Sequence, residues 1–238
     1  MKITAVRAIP VSIPSRRQLT ALGIHQSFEF GVVEVETDEG ITGIGDVTQL
    51  WDGLGQIQCA YVNDWFGPRL VGQDPTAINH CLGLMKTLVE NAGPARAGIE
   101  MALFDIAGKA AGVPVSGLLG GRTRESIALS RSVVMGTPAE TAERAAGFVA
   151  DGYRCVKVKI GLDIERDVAA VRAVRKAVGP PVAIRTDANM GWKTAKEAIQ
   201  AIRRLEEFRI HSVEQPIPPG NVAALRLIRQ AVDTPIMV

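Results

Sequence analysis

The chain has 238 residues, 47% hydrophobic and 22% charged, which is typical of a globular protein with room for one large or two smaller domains. Its net charge is +2, its basic residues are dispersed and only 5% of residues are aromatic, so a nucleic-acid-binding protein is disfavoured. Without an apolar run of roughly 18–20 residues, or cysteine spacing typical of a disulfide or zinc framework, we expect a cytoplasmic protein that does not enter membranes.

Residues 1–125 have the pattern of an α+β domain. A strand from Ile3 to Ile13 is predicted to lead into a polar loop over residues 15–27. Two further strands, FGVVEVETDEG and ITGIGDVTQ, meet at a hairpin that contains Gly40. Three helical stretches follow, over about 54–66, 75–90 and 94–112, and strands followed by helices indicate the α+β class.

Residues 126–238 instead repeat a strand–helix unit about every 24–28 residues, which implies parallel strands. The strand-like runs are SIALSRSVV, RCVKVKIG, PVAIRTDAN, IHSVEQP and TPIMV. Amphipathic helices with apolar residues three and four apart separate them. An open sheet or a (β/α) barrel fits this order. The sequence contains neither GxGxxG after the first strand nor GxxxxGK[ST], which favours the barrel over a nucleotide-binding sheet.

Charged residues occupy the ends of three consecutive barrel strands. Because strand side chains alternate, Lys157 and Lys159 share one face, and Arg185 and Asp187 share the corresponding face of the next strand. Glu214 ends the strand after that. Charges on the inward face are costly near the bottom of a barrel but open onto its mouth at the carboxyl ends, where barrel active sites lie. This arrangement predicts a metal or an anionic substrate between the lysines and the acids.

The residue types indicate one chemistry. The carboxylates of Asp187 and Glu214 are hard oxygen donors that suit Mg²⁺, or Mn²⁺, better than Zn²⁺. Such an ion stabilises the enediolate left when the carbon next to a carboxylate loses its proton. A lysine near a second cation gives up its own proton more readily. We therefore predict Lys159 as the base and Lys157 as that second cation.

Other candidates have weaker signals. Asn189 is either a turn residue or a substrate contact, and Ser132 is predicted on the inward face of the first barrel strand. His25 and Trp51 lie on predicted loops of the first block and could reach a ligand. The competing interpretation is structural, because two strand lysines can form a solvated edge and two acids at strand ends can simply form salt bridges.

With these residues in these positions, the sequence resembles the mandelate racemase/muconate lactonizing enzyme family of the enolase superfamily. The likeness spans the whole chain and rests on four segments in order: ARAGIEMALFDIAGKAAGVPVSGLLGG, KVKIG, RTDANMGW and VEQP. It implies a capping domain over residues 1–125 and a modified (β/α)7β TIM-like barrel from residue 126 to 238, with only about the first five barrel strands present and their edges exposed.

The resemblance also assigns roles. Lys159 matches the family's base and Lys157 its partner, Asp187 and Glu214 match the first two metal ligands, and Asn189 matches an asparagine near the metal and substrate. Residues 15–27 and 48–54 match capping segments that close over the substrate. The EQP sequence is similar to the muconate lactonizing branch of cycloisomerases, epimerases and racemases.

One departure from the family pattern concerns the end of the sequence. The family normally continues directly after PIMV with an acidic third metal ligand, followed later by a second acid/base. We therefore expect this chain to be the first part of a longer enzyme and to be poorly active by itself.

The sequence thus predicts a Mg²⁺-dependent, homo-oligomeric isomerase that deprotonates a small carboxylate. Two alternatives remain open: a dehydratase of a hydroxy acid or acid sugar in the same superfamily, and a non-catalytic binding protein or inactive fragment.

Overall fold

The computed structural model describes residues 1–48 and 54–238, which form two compact units. The first unit comprises Met1–Arg16 and Gln26–Glu125, and the second comprises Arg17–His25 and Ser126–Val238. Within the described ranges, no helix has both the length and the apolar character needed to cross a membrane.

The first unit combines a three-stranded sheet with helices. The strands β1 (Ile3–Thr20), β2 (Gly23–Thr37) and β3 (Thr42–Thr48) lie in that order, and the Arg17–His25 end of the first two strands is assigned to the second unit. The helices are α1 (Leu54–Ala60), a π-helical segment (Tyr61–Phe66), α2 (Gly67–Leu70), α3 (Ile78–Lys86), α4 (Gly93–Ala111) and α5 (Val115–Leu118). The predicted hairpin at Gly40 is confirmed, because β2 and β3 pair antiparallel on either side of it.

The prediction of a polar loop over residues 15–27 is wrong. Strands β1 and β2 extend through it and leave only a two-residue turn, in which the Leu22 N–H donates to the Thr20 hydroxyl at 3.1 Å. Pairing with a neighbouring strand satisfies the backbone of polar residues in an extended conformation. The polar composition of residues 15–27 predicted a loop because composition does not indicate which strand a segment will pair with.

Close backbone contact joins β3 to α4. A Cβ atom added at Gly45 would lie 1.8 Å from the carbonyl oxygen of Gly98, and one added at Gly43 would lie 2.1 Å from that of Ala102. Only glycine allows the strand to approach the helix backbone this closely.

Gly45→Ala is therefore expected to lower the free energy of unfolding by about 3 kcal/mol, because the strand must move away from the helix. Gly83→Ala is the matched control, since Gly83 is exposed in α3 and has open space around it; there we expect a gain of about 0.5–1 kcal/mol. Urea unfolding measures both, and equal effects of the two substitutions would contradict the close-contact explanation.

The second unit contains five parallel strands in chain order, as the repeat predicted. They are β4 (Ser130–Val133), β5 (Cys155–Lys159), β6 (Ala183–Asp187), β7 (Ser212–Glu214) and β8 (Ile236–Met237). The intervening helices are α6 (Pro138–Ala150), α7 (Ile164–Val178), α8 (Ala195–Glu206) and α9 (Val222–Ala231). This is the order of a partial (β/α) barrel.

The core of this unit lies between the sheet and the helices. Val156, Val158 and Ile184 are completely buried on the helix-facing side. The apolar stripes of the helices cover this side, including Val171 and Val174 of α7. The alternation predicted for β5 is therefore confirmed, and its lysines lie on the other, inward face.

Candidate active site

Parallel register aligns the inward side chains in two rows. The row nearer the carboxyl ends of the strands contains Lys159, Asp187, Glu214 and Met237. The preceding row contains Ser132, Lys157, Arg185 and Ser212. Residues that are separated by 28 and 27 positions along the chain thereby become lateral neighbours, since paired strands lie about 4.8 Å apart.

The Lys159 ammonium lies at the β5 end of the row nearer the carboxyl ends of the strands. Its Nζ donates to Asp187 Oδ2 at 2.7 Å and to Asn189 Oδ1 at 2.9 Å. Asn189 has a φ of 44°, and its backbone N–H donates to Asp187 Oδ1 at 2.9 Å. Asn189 is therefore a turn residue that also belongs to the charged cluster, and its contact with a substrate stays a prediction.

Lys157 connects the two carboxylates from the row below. Its Nζ lies 3.2 Å from Asp187 Oδ2 and donates to both oxygens of Glu214 at 3.3 Å. Arg185 adds a third cation, with its guanidinium 3.6 Å from Glu214 Oε2. Three cations thus face two carboxylates, so this cluster has a local excess of positive charge.

Asp187 is only 1% exposed, yet it is surrounded by groups that stabilise its charge. Burial acts to raise the pKa of this carboxyl, but the hydrogen bond and charge of Lys159, the Asn189 N–H and the charge of Lys157 outweigh burial and hold the pKa below its usual range. Asp187 is therefore a buried carboxylate that remains ionised within this cluster.

The remaining predicted site residues lie in different places. Ser132 is adjacent to Lys157 in the strand register, and its side chain is exposed. His25 is buried in the Arg17–His25 tip of the first hairpin, which belongs to the second unit. In the same unit, the Met135 N–H donates to the Leu19 carbonyl at 3.2 Å, after the end of β4. Trp51 lies outside the described residues.

Asp167 of α7 is a buried carboxylate that was not predicted from the sequence. This carboxylate is 3% exposed and accepts a hydrogen bond from the Gly161 N–H at 2.9 Å, two residues after Lys159. Burial raises its pKa to about 6, although the hydrogen bond from Gly161 and the nearby Trp192 indole act to lower it. The available signal was a charged residue within the apolar stripe of Ile164, Val168 and Val171.

The raised pKa of Asp167 predicts a pH-dependent stability. The folded state holds this proton more tightly than the unfolded state, so its stabilising effect is complete below about pH 4 and is lost as the pH rises through about 6. Between about pH 4 and pH 8, we expect the free energy of unfolding of the wild-type protein to fall by roughly 2–3 kcal/mol relative to that of Asp167→Asn. Urea unfolding of both proteins across this range measures the difference; a difference independent of pH would contradict the prediction.

The side chains present fit Mg²⁺. Asp187, Glu214 and Asn189 offer only oxygen donors, and Mg²⁺ is commonly held by one or two carboxylates together with substrate and water oxygens. No group of three or more His, Cys, Asp or Glu residues suited to a metal occurs in residues 1–48 and 54–238. The oxygen donors of Asp187, Glu214 and Asn189 make them the candidate metal ligands, and the two lysines would compete with a metal for the carboxylate oxygens.

Comparison with known proteins decides the family. The Mandelate racemase / muconate lactonizing enzyme N-terminal domain model matches residues 3–120, and the Enolase C-terminal domain-like model matches residues 140–238. The chain belongs to the mandelate racemase/muconate lactonizing enzyme family of the enolase superfamily. The predicted fold class, a capping domain followed by a partial TIM-like barrel, is confirmed by the structures of this family.

Several family members are similar over essentially the whole chain. N-succinyl-L-Arg/Lys racemase of Bacillus cereus is 33% identical over all of this chain and 66% of its own length. The crystal structure of N-succinyl Arg/Lys racemase from that organism matches with a TM-score of 0.95 at 32% identity, and the match covers 99% of this chain and 65% of that one. Hydrophobic dipeptide epimerase of Enterococcus faecalis is also 33% identical, over all of this chain and 67% of its own length. The structure of a dipeptide epimerase from that organism contains Mg and L-Leu-L-Tyr and matches with a TM-score of 0.89 at 31% identity, covering 99% of this chain and 67% of that one.

The family includes a third reaction type. The structure of muconate lactonizing enzyme from Pseudomonas fluorescens, complexed with muconolactone, matches with a TM-score of 0.94 at 29% identity, covering 99% of this chain and 65% of that one. The present chain thus spans about two thirds of the length of these three relatives, which are a racemase, an epimerase and a muconate lactonizing enzyme.

Proposed function

We propose that the protein removes the proton next to a carboxylate in a Mg²⁺-dependent isomerisation, as a racemase, epimerase or cycloisomerase. One observation carries this proposal: Lys159 Nζ lies 2.7 Å from buried Asp187 and 2.9 Å from Asn189 at the carboxyl ends of adjacent parallel strands. A base, a carboxylate pair and an excess of cations there suit a small anionic substrate that carries an acidic carbon–hydrogen bond.

Asp187, Glu214 and Asn189 would hold Mg²⁺, or Mn²⁺, through their side-chain oxygens. When bound, the ion supplies positive charge that stabilises the negative charge of the deprotonated substrate. Neutral Lys159 Nζ takes the proton as the carbon–hydrogen bond breaks, and the electron pair remains on the substrate as an enediolate. Return of a proton to the same face gives exchange with solvent, whereas return to the opposite face inverts the carbon.

Lys157 has a different role in this scheme. Its Nζ contacts both Asp187 and Glu214, so it fixes the two carboxylates relative to each other and adds positive charge beside the base. Arg185 supports Glu214 from the same row. These cations favour an anionic substrate without themselves taking a proton.

The test is exchange at the α-carbon in D₂O with the full-length protein. The panel contains N-acyl amino acids, dipeptides, cyclic amino acids, muconates and hydroxy acids, each with Mg²⁺ and with a chelator. The proposal predicts Mg²⁺-dependent deuterium incorporation in at least one class. Ligand binding without exchange in any class would instead support a non-catalytic binding protein.

A dehydratase is the second candidate function, since cis-3-hydroxy-L-proline dehydratase of Roseibium aggregatum is 31% identical over 91% of this chain and 60% of that protein. The first deprotonation is the same, and loss of a β-hydroxyl follows it. Formation of a keto or unsaturated acid from a hydroxy acid distinguishes this outcome from isomerisation. A cytoplasmic location and homo-oligomerisation remain predictions from the sequence.

A further inference from the structure

The backbone just after Lys159 is packed against the loop that carries Asn189. The Ile160 N–H donates to the Asp187 carbonyl at 2.9 Å. A Cβ atom added at Gly161 would lie 2.3 Å from the Ala188 carbonyl oxygen, and one added at Gly191 would lie 2.0 Å from the Gly161 carbonyl oxygen. Because these two backbones touch, a displacement of Gly161 is transmitted to both the base and the loop after β6.

The Asp167 side chain forms a hydrogen bond with the backbone of Gly161. Its Oδ2 accepts the Gly161 N–H at 2.9 Å, and its side chain is buried at the start of α7. Trp192, in the loop that carries Asn189, is 1% exposed. Its indole N–H makes no hydrogen bond of standard geometry to any of the described residues.

We propose that Asp167 is a positioning residue whose carboxylate fixes Gly161, and thereby holds Lys159 Nζ against Asp187 and Asn189. Asp167 contacts none of these three site residues through its own side chain in the described hydrogen bonds. It therefore acts through Gly161 and the loop. The catalytic part of this inference rests on the proposed function, whereas the anchoring part does not.

The chemistry explains why a carboxylate is used here. A carboxylate has two acceptor oxygens and no donor, so either orientation of the group presents an acceptor to the Gly161 N–H. Asparagine retains one acceptor and presents an amide donor in place of the other, and alanine retains none. Anchoring should therefore decrease from aspartate to asparagine to alanine.

The experiment compares Asp167→Ala and Asp167→Asn with Asp163→Ala in the full-length protein. Asp163 is the matched control, because it is the exposed N-cap aspartate of α7, and its Oδ1 accepts the Arg166 N–H at 2.9 Å. Two quantities are measured: hydrogen exchange of the Gly161 amide, and kcat and KM for the best substrate of the exchange panel.

In Asp167→Ala we expect the Gly161 amide to exchange about 10- to 100-fold faster, since its acceptor is lost. We also expect kcat to fall about 10- to 100-fold with KM changed less than about threefold, because the base is displaced while the substrate contacts remain. Asp167→Asn should be intermediate, and Asp163→Ala should leave the Gly161 amide and kcat within about twofold of wild type.

Wild-type amide protection or wild-type kcat in folded Asp167→Ala would overturn the proposal. Equal losses in Asp167→Ala and Asp163→Ala would also overturn it, because they would indicate general destabilisation of α7. If Asp167→Ala does not fold, Asp167→Asn decides by the same two measurements. If wild-type protein turns over no substrate, the proposed function fails, and the Gly161 amide alone decides the anchoring.

Discussion

Lys159→Ala is expected to reduce turnover of the protein's substrate by at least about 10³-fold, since a positioned general base contributes roughly 10²–10⁴-fold. Its Nζ has hydrogen bonds to both Asp187 and Asn189 in the candidate metal site, so removal of the amine leaves the α-proton without an acceptor. The measurement is kcat at saturating Mg²⁺ in the full-length protein, with KM determined in parallel.

Two other lysine substitutions make this prediction specific. Lys193→Ala removes an exposed lysine from the loop between β6 and α8 and should leave kcat unchanged. Lys157→Ala should reduce kcat about 10- to 100-fold, because Lys157 positions charge without accepting the proton. Full activity of Lys159→Ala, or a larger loss in Lys157→Ala than in Lys159→Ala, would contradict the assigned roles.

Asp187→Asn is expected both to weaken Mg²⁺ binding by at least about 100-fold and to destabilise the metal-free protein by roughly 3 kcal/mol. The first effect follows from loss of a carboxylate ligand. The second arises because Lys157 and Lys159 both contact Asp187 Oδ2 and would lose their shared counter-charge within a largely buried cluster. Calorimetric titration with Mg²⁺ and urea unfolding measure the two effects separately.

Glu165→Gln is the matched control for the loss of an ion pair. Glu165 pairs with Arg204 on the surface, where solvent screens the charges, so its replacement should leave the unfolding midpoint and Mg²⁺ affinity nearly unchanged. If Asp187→Asn binds Mg²⁺ as tightly as wild type, Asp187 is not a ligand. If it unfolds like Glu165→Gln, the buried cluster contributes nothing beyond an exposed pair.

The strand lysines were predictable from the sequence because their positions depend on local rules. Alternation placed Lys157 and Lys159 on one face, and the repeat implied that Asp187 and Glu214 ended the next two strands. The parallel register bears this out, since Lys159 pairs with Asp187 and Asp187 with Glu214. The barrel order followed from the same periodicity.

Features that depend on tertiary contacts were not predictable in this way. The strand structure of residues 15–27 depends on pairing between β1 and β2. The role of Asp167 depends on a glycine N–H in another segment, and its charge merely interrupts an apolar stripe in the sequence. Asn189 both adopts a left-handed turn conformation and accepts a hydrogen bond from Lys159. The spacing of residues in the sequence alone could not indicate this combination.

Exchange of the α-proton in separate enantiomers is a direct test of Lys159 as the base of a Mg²⁺-dependent deprotonation, because a base at this position acts on one face of the substrate. Each pure enantiomer is incubated in D₂O with wild-type or Lys159→Ala protein, with Mg²⁺ or with chelator, and deuterium incorporation is followed by NMR. We expect Mg²⁺-dependent exchange by wild type and selective loss of exchange for one enantiomer in Lys159→Ala. Exchange that persists with chelator, or that proceeds at wild-type rates for both enantiomers in Lys159→Ala, would contradict it.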